Sequence, residues 1–358
     1  MSVFHGLFAR TTMRVFVKRK TDLCYNKPMK KINLIEKLNL WRAIARDYTL
    51  PQTAIAYAFA VVLASKNYQV DYFLSFLGLI GVLLAHMSVN ILDDYFDWKS
   101  GAVEEYKKLI LAGEQIKTHK CFYLEQGLTS HRSLLVVALS MDFIATLIGL
   151  YILSKVGVGI IVIVLITGLI GFFYSAPPFR LSYHGLSELA IGIVFGPLLL
   201  AGAYITAGGS IDTTILFSSI IIGIFIANIS FVHCIMDFKS DKNVGKTSLA
   251  TLLKSPQNAI VTLAVFYTIA YALVLIGIYL KIFPFASILT FIIIPINYAL
   301  IKLMKNDKKA KQFWMGPLEN WDYVIKEGSD WFMLRLCLSR NIAVEFIILL
   351  GVTYYVFK

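Results

Sequence analysis

Nine apolar stretches of 17 to 24 residues, separated by short breaks, constrain this chain more than any other feature. They fall at about 50–66, 71–92, 134–154, 156–174, 186–207, 213–236, 258–280, 282–303 and 341–357. A helix needs about 20 residues to cross a hydrocarbon core of roughly 30 Å. The breaks carry Gly, Pro or charge, as in Pro177-Pro178, Gly208-Gly209-Ser210 and Lys281-Ile282-Phe283-Pro284. The pattern predicts an all-α, polytopic membrane protein with nine transmembrane helices. Composition excludes the soluble alternative. Only 16 % of the 358 residues are charged and 58 % are hydrophobic, whereas a soluble domain carries about 25 % charged residues.

Nine spans place the two termini on opposite sides. With the N-terminus in the cytoplasm, 30 of the 34 Lys and Arg fall on the cytoplasmic side, and only Lys66, Lys155, Lys281 and Lys358 on the other. Cytoplasmic loops retain Lys and Arg, so the asymmetry sets the orientation. The net charge of +12 is thereby explained without a nucleic-acid partner. Residues 1–49 read as a basic cytoplasmic segment. Residues 50–358 read as the membrane unit, with cytoplasmic loops at about 98–133, 237–257 and 302–340. Residues 1–28 are basic and lack an acid before Asp22, as a transit peptide would. Met29-Lys30-Lys31 also resembles a natural start, and an extension over 1–28 is the preferred reading. Trp314, Trp321 and Trp331 in the last loop point to interfacial helices, with a lid over a cytoplasmic site as the second reading. Cys24, Cys121, Cys234 and Cys337 have no metal-site or disulfide spacing.

The chemistry signal is acidic. Asn90, Asp93, Asp94 and Asp97 lie at i, i+3, i+4 and i+7, on one face of the end of the second span. His233, Asp237 and Asp241 are spaced by one turn at the end of the sixth. Both places share the spacing Asp-x3-Asp-x3-Gly, at 93/97/101 and 237/241/245. Four spans separate them, so both emerge on the same side. Carboxylates crowded at a membrane boundary repel one another and resist desolvation, so something must compensate them. Their hard oxygens suit Mg²⁺, which binds one or two carboxylates together with substrate phosphates. Two facing clusters would hold Mg²⁺ around a diphosphate. A secondary transporter is the competing class, but it expects its acids near the midplane on broken helices.

At these residues the chain resembles the UbiA superfamily of intramembrane prenyltransferases. Asp93-Asp94-Tyr95-Phe96-Asp97-Trp98-Lys99-Ser100-Gly101 is similar to the first aspartate-rich motif of that family. Asp237-x3-Asp241-x3-Gly245-Lys246-Thr247 is similar to the second. Tyr174-Ser175-Ala176-Pro177-Pro178-Phe179-Arg180, continuing through Tyr183 and Gly185 to Glu188-Leu189, looks like the loop after the fourth helix in the 1,4-dihydroxy-2-naphthoate branch. Asp93 stands where the first motif begins with Asn, and Asn90 is a candidate substitute. Gly101 replaces its third acid, with Glu104 and Glu105 close behind. His233, Cys234 and Met236 occupy positions where that branch carries two Asn and an Arg.

The resemblance implies Mg²⁺-dependent transfer of a polyprenyl group from its diphosphate to a small aromatic acceptor, 1,4-dihydroxy-2-naphthoate first among the choices. It implies a multi-pass enzyme of the cell's inner membrane whose site faces the cytoplasm. Asp94, Asp97, Asp237 and Asp241 become the candidate catalytic residues and, with Asp93, the metal ligands. Asn90, Lys99, Tyr174, Arg180, His233, Lys242 and Lys246 become candidate substrate-binding residues. Tyr95, Phe96 and Tyr174 are candidates to shield a carbocation. The small residues of Gly192–Gly202 are candidates for the prenyl passage. Glu188 is assigned a structural or acceptor-orienting role, and Asp142 none.

Overall fold

A computed structural model describes residues 33–101, 103, 104, 108, 121–243, 245–305 and 330–358. The chain is helical, and no β-strand occurs among the described residues. Helix α1 covers Leu34–Ile44, α2 Leu50–Asn67, α3 Tyr72–Lys99, α4 His131–Val156 and α5 Ile161–Phe173. Then follow α6 over Ser187–Thr206, α7 Thr213–Met236, α8 Phe238–Asn243, α9 Pro256–Tyr279, α10 Phe285–Lys305 and α11 Asp330–Phe357.

Short polar side chains start these helices where the sequence provides them. Asn33 and Glu36 form a capping box on α1, and Asp71, Ser130, Asp212 and Ser255 each accept a first-turn N–H of α3, α4, α7 and α9. Beyond the caps, burial inside the bundle decides position. Among the helices long enough to cross a membrane, α7 and α11 are the most buried and α4 the least. Phe225 stacks on Phe346 at 4.0 Å to join α7 to α11, while Phe143, Leu147 and Leu150 of α4 point outward. An apolar outer face fits a helix that meets lipid.

Eight helices among the described residues are long and apolar enough to cross a membrane. At the position expected for the fourth span stands a shorter apolar stretch, Val158–Phe173, opened by a 3-10 turn. Two boundaries differ from expectation. Helix α3 carries the whole first acidic motif and continues to Lys99. The loop expected to end at 340 ends earlier, because α11 begins at Asp330. Arg335, expected in that loop, is instead 2 % exposed and donates from Nε and Nη2 to the Leu303 carbonyl near the end of α10. Trp314, Trp321, Glu105 and the extension 1–28 lie outside the described residues.

The glycines of α6 do not open a passage as a group. A Cβ on Gly196 would lie 2.5 Å from the Ser219 carbonyl, and one on Gly223 would lie 2.6 Å from the Gly192 carbonyl. Gly192 and Gly196 thus let the α6 backbone ride on α7, and only Gly202 lines the cavity described below.

Candidate active site

A cavity of about 860 Å³ enters the bundle, and both acidic segments reach its wall: Asp93 and Asp97 from α3, and Asp237 from the end of α7. All are buried. The two places of equal sequence spacing therefore share one space, as two clusters emerging on one side require.

The first cluster is compensated by a residue the sequence reading passed over. Arg46 donates from Nη2 to Asp93 Oδ2 at 2.9 Å and also to Asp94 Oδ1. Burial alone would lower the guanidinium pKa, but Asp94 and Asp93 more than reverse this and hold it well above the ordinary value. Arg46 sits in the turn between α1 and α2 with a left-handed backbone, φ 54°, a conformation that non-glycine residues seldom adopt. Its surroundings over-determine it. Its carbonyl accepts the Thr49 hydroxyl and N–H, each at 2.8 Å. Asn90 then donates to Thr49 Oγ1 at 3.3 Å and to the Ala45 carbonyl at 3.0 Å. His86, a turn earlier on α3, lies 3.3 Å from the Thr49 hydroxyl and 2.9 Å from that of Thr53.

Hydroxyl groups fix the remaining acids of α3. Ser175 donates to Asp93 Oδ1 at 2.6 Å, Tyr123 to Asp94 Oδ2, and Tyr183 to Asp97 Oδ1 at 2.8 Å. Burial first, then Asp94, holds the Tyr123 phenol well above its usual range, so it stays a donor. Tyr174, just beyond α5, lines the cavity.

The helix expected through the second cluster is interrupted. Helix α7 ends at Met236, Asp237 forms the turn, and α8 resumes at Phe238. The one-turn spacing survives, because Asp237 N–H bonds the His233 carbonyl at 3.0 Å and Asp241 N–H bonds that of Asp237 at 2.8 Å. His233 Nε2 lies 3.4 Å from Asp237 Oδ2, and Lys246 Nζ lies 3.6 Å from Asp241 Oδ1.

Tyr183 ties the three motifs together. Its hydroxyl holds Asp97, its ring lies 4.0 Å beneath the Arg180 guanidinium, and Lys246 Nζ stands 5.8 Å from the same ring. Two backbone bonds register its loop against that of Lys246: Gly185 N–H to the Thr247 carbonyl at 2.9 Å, and Thr247 N–H to the Tyr183 carbonyl at 3.1 Å. Glu188, in the first turn of α6, is 4 % exposed and accepts the Ser187 hydroxyl at 2.6 Å.

Of the expected residues, Asn90, Asp93, Asp97, Tyr174, His233, Asp237 and Lys246 line the cavity. Asp94 and Asp241 stand buried behind its wall. Lys99 at the end of α3 and Lys242 in α8 are exposed, and Arg180 is half-buried above Tyr183. Tyr95 stacks on His131 at 4.1 Å and Phe96 meets Phe172, so neither faces the cavity. Sequence reasoning missed Arg46, Ser175, Tyr183 and Tyr123. Ser175 and Tyr183 stood inside a recognised motif, whereas nothing local marks Arg46 or Tyr123.

Below the acids the wall is apolar, built from α3, α4, α5 and α6, with Asp142 of α4 as an acidic exception. The upper donor set is all oxygen, which fits Mg²⁺. Among the described residues no three His, Cys, Asp or Glu side chains form a ready-made ion cage. An ion that takes one or two carboxylates and completes its shell from phosphates and water needs no such cage.

Eight membrane-length helices together with a cavity lined by buried carboxylates define a multi-pass membrane protein. The chain belongs to the UbiA prenyltransferase family, whose model matches residues 53–321. It is a prenyltransferase. It is 27 % identical over 232 residues to a 1,4-dihydroxy-2-naphthoate octaprenyltransferase of Bacillus subtilis, covering 65 % of this chain and 71 % of that one. It is 29 % identical over 222 residues to a 2-carboxy-1,4-naphthoquinone phytyltransferase of Synechocystis, covering 58 % and 64 %. A UbiA homologue from Archaeoglobus fulgidus, solved with DMAPP and Mg²⁺, shares the fold with a TM-score of 0.57 at 13 % identity, over 85 % of this chain and 98 % of that one.

Proposed function

We propose that this enzyme carries out Mg²⁺-dependent transfer of a polyprenyl group from polyprenyl diphosphate to 1,4-dihydroxy-2-naphthoate, at a site facing the cytoplasm from the cell's inner membrane. The observation that carries the reading is the single cavity reached by Asp93, Asp97 and Asp237, with Arg46 and Lys246 beside them and an apolar wall below. Such a space suits a diphosphate head above a prenyl tail. The names of the relatives and the loop Tyr174–Leu189 support the naphthoate acceptor.

Asp97 and Asp237, with Asp93, Asp94 and Asp241 at hand, would hold the metal. Bound there, Mg²⁺ supplies charge neutralisation of the diphosphate. Lys246 and Arg46 add cationic donors at the cavity rim, and Arg180, Lys99 and Lys242 add further positive charge from a loop and two helix ends. The allylic C1–O bond breaks with its electron pair leaving on pyrophosphate. A ring carbon of the acceptor gives its π pair to C1, and aromaticity returns when that carbon sheds its proton or carboxyl group. The apolar wall excludes water from the allylic cation, and Tyr174 is part of the cavity lining. His233 lines the same space beside Asp237 and is the candidate to accept a proton from the acceptor.

The test incubates membranes containing the protein with labelled prenyl diphosphate and a panel of aromatic acids. Prenylated naphthoate that depends on Mg²⁺ is the expected product. Product with another aromatic acid or a glycerol ether, and none with dihydroxynaphthoate, would overturn the acceptor and leave the reaction class standing.

A further inference from the structure

We propose that Gln52 recognises a ring hydroxyl of the aromatic acceptor and so sets acceptor specificity; the inference rests on the acceptor reading above. Gln52 lies in the first turn of α2, is 7 % exposed, and lines the cavity. Its Oε1 is buried without a hydrogen-bond partner. The threonines beside it on α2 are engaged: Thr49 with Arg46, Asn90 and His86, and Thr53 with His86. Those contacts satisfy the side of α2 that faces α3. Gln52 shares the cavity with Ile229, Ser230 and His233 of α7 and Leu336 of α11. It joins α2 to α7 and α11, helices packed on one another.

A buried amide without a partner costs free energy that an apolar side chain of similar size would not. That cost is recovered when a ligand completes the bond. Three chemical parts must be accommodated in this cavity. The diphosphate is met by the cations Arg46 and Lys246 and, when ionised, has no proton to give Oε1. The prenyl tail has no polar atom. The acceptor's carboxylate could take the Nε2 protons of the amide but likewise has none to give Oε1. A ring hydroxyl is the group that donates to Oε1, the atom left without a partner.

The experiment uses the full chain in proteoliposomes and compares wild type with Gln52→Leu and the nearly isosteric Gln52→Met. Each is measured with 1,4-dihydroxy-2-naphthoate and with analogues lacking one hydroxyl. Either variant should raise the acceptor KM about 10-fold or more, leave the prenyl diphosphate KM unchanged, and no longer distinguish the acceptor from the analogue that wild type disfavours. The melting temperature should not fall, since the amide makes no bond in the unliganded protein; a merely structural glutamine would lower it. An unchanged acceptor KM with unchanged discrimination overturns the inference alone, as does an effect confined to the prenyl diphosphate KM. Failure of wild type to prenylate any hydroxyaromatic acid overturns the acceptor reading, and this inference with it.

Discussion

Replacing Arg46 with Met removes one charge and keeps most of the aliphatic stem. The Arg46 side chain is 19 % exposed, and those of Asp93 and Asp94 are 10 % and 6 % exposed. Removing one partner of a buried ion pair costs about 3–5 kcal/mol, because the stranded charge remains desolvated. An exposed pair costs about 1 kcal/mol or less, so burial places Arg46→Met in the upper range. Thermal unfolding in detergent with EDTA should show a fall of several degrees in melting temperature. Adding Mg²⁺ should restore part of that fall in the variant, because the same carboxylates would then meet a second source of positive charge. The cost should shrink when Asp93→Asn and Asp94→Asn are already present, giving a coupling of about 1–3 kcal/mol. An equal cost of Arg46→Met in both backgrounds would refute the electrostatic argument, and so would an unchanged melting temperature.

Other outcomes follow from the same geometry. Asp97→Asn and Asp241→Asn should each abolish turnover while the protein still inserts, and EDTA should do so reversibly; full activity in any of the three conditions removes the metal site. Tyr183→Phe keeps the ring beneath Arg180 but takes the donor from Asp97, so kcat/KM should fall about 10- to 100-fold with little change in melting temperature. Gly223→Ala drives a methyl into the Gly192 carbonyl and should cost about 1–3 kcal/mol, seen as a lower melting temperature. Cysteines placed at Ser100 and Asn243 should react from the cytoplasmic side and one at Gly209 from the other; labelling of Ser100 and Asn243 from opposite faces would separate the two acidic clusters.

Much of the site was legible because its residues repeat a local spacing. Asp93, Asp97 and Asp237 stand at helix ends after long apolar runs, so periodicity and hydropathy together brought them to one side. Arg46 was not legible in this way. It lies 47 positions before Asp93, in a turn that looks like ordinary positive-inside charge, and only packing of α1 and α2 against α3 reveals its partners. Tyr123 is hidden for the same reason, 29 positions from Asp94. Gly192 and Gly196 of α6 serve a close helix contact and Gly202 the cavity, because a small residue suits either use, and Ser219 and Gly223 opposite the first two decide for contact. Arg335 shows how a cation that reads as loop charge ends up buried in a helix, where it donates to the Leu303 carbonyl near the end of α10.

In the proposed reaction two acidic segments act on one diphosphate. Pyrophosphate release and prenylated product, followed together in proteoliposomes given prenyl diphosphate and dihydroxynaphthoate with and without Mg²⁺, test this most directly. One pyrophosphate per prenylated naphthoate, with both lost in Asp97→Asn and in Asp237→Asn, is the predicted result. Undiminished pyrophosphate release in either variant would contradict the shared site.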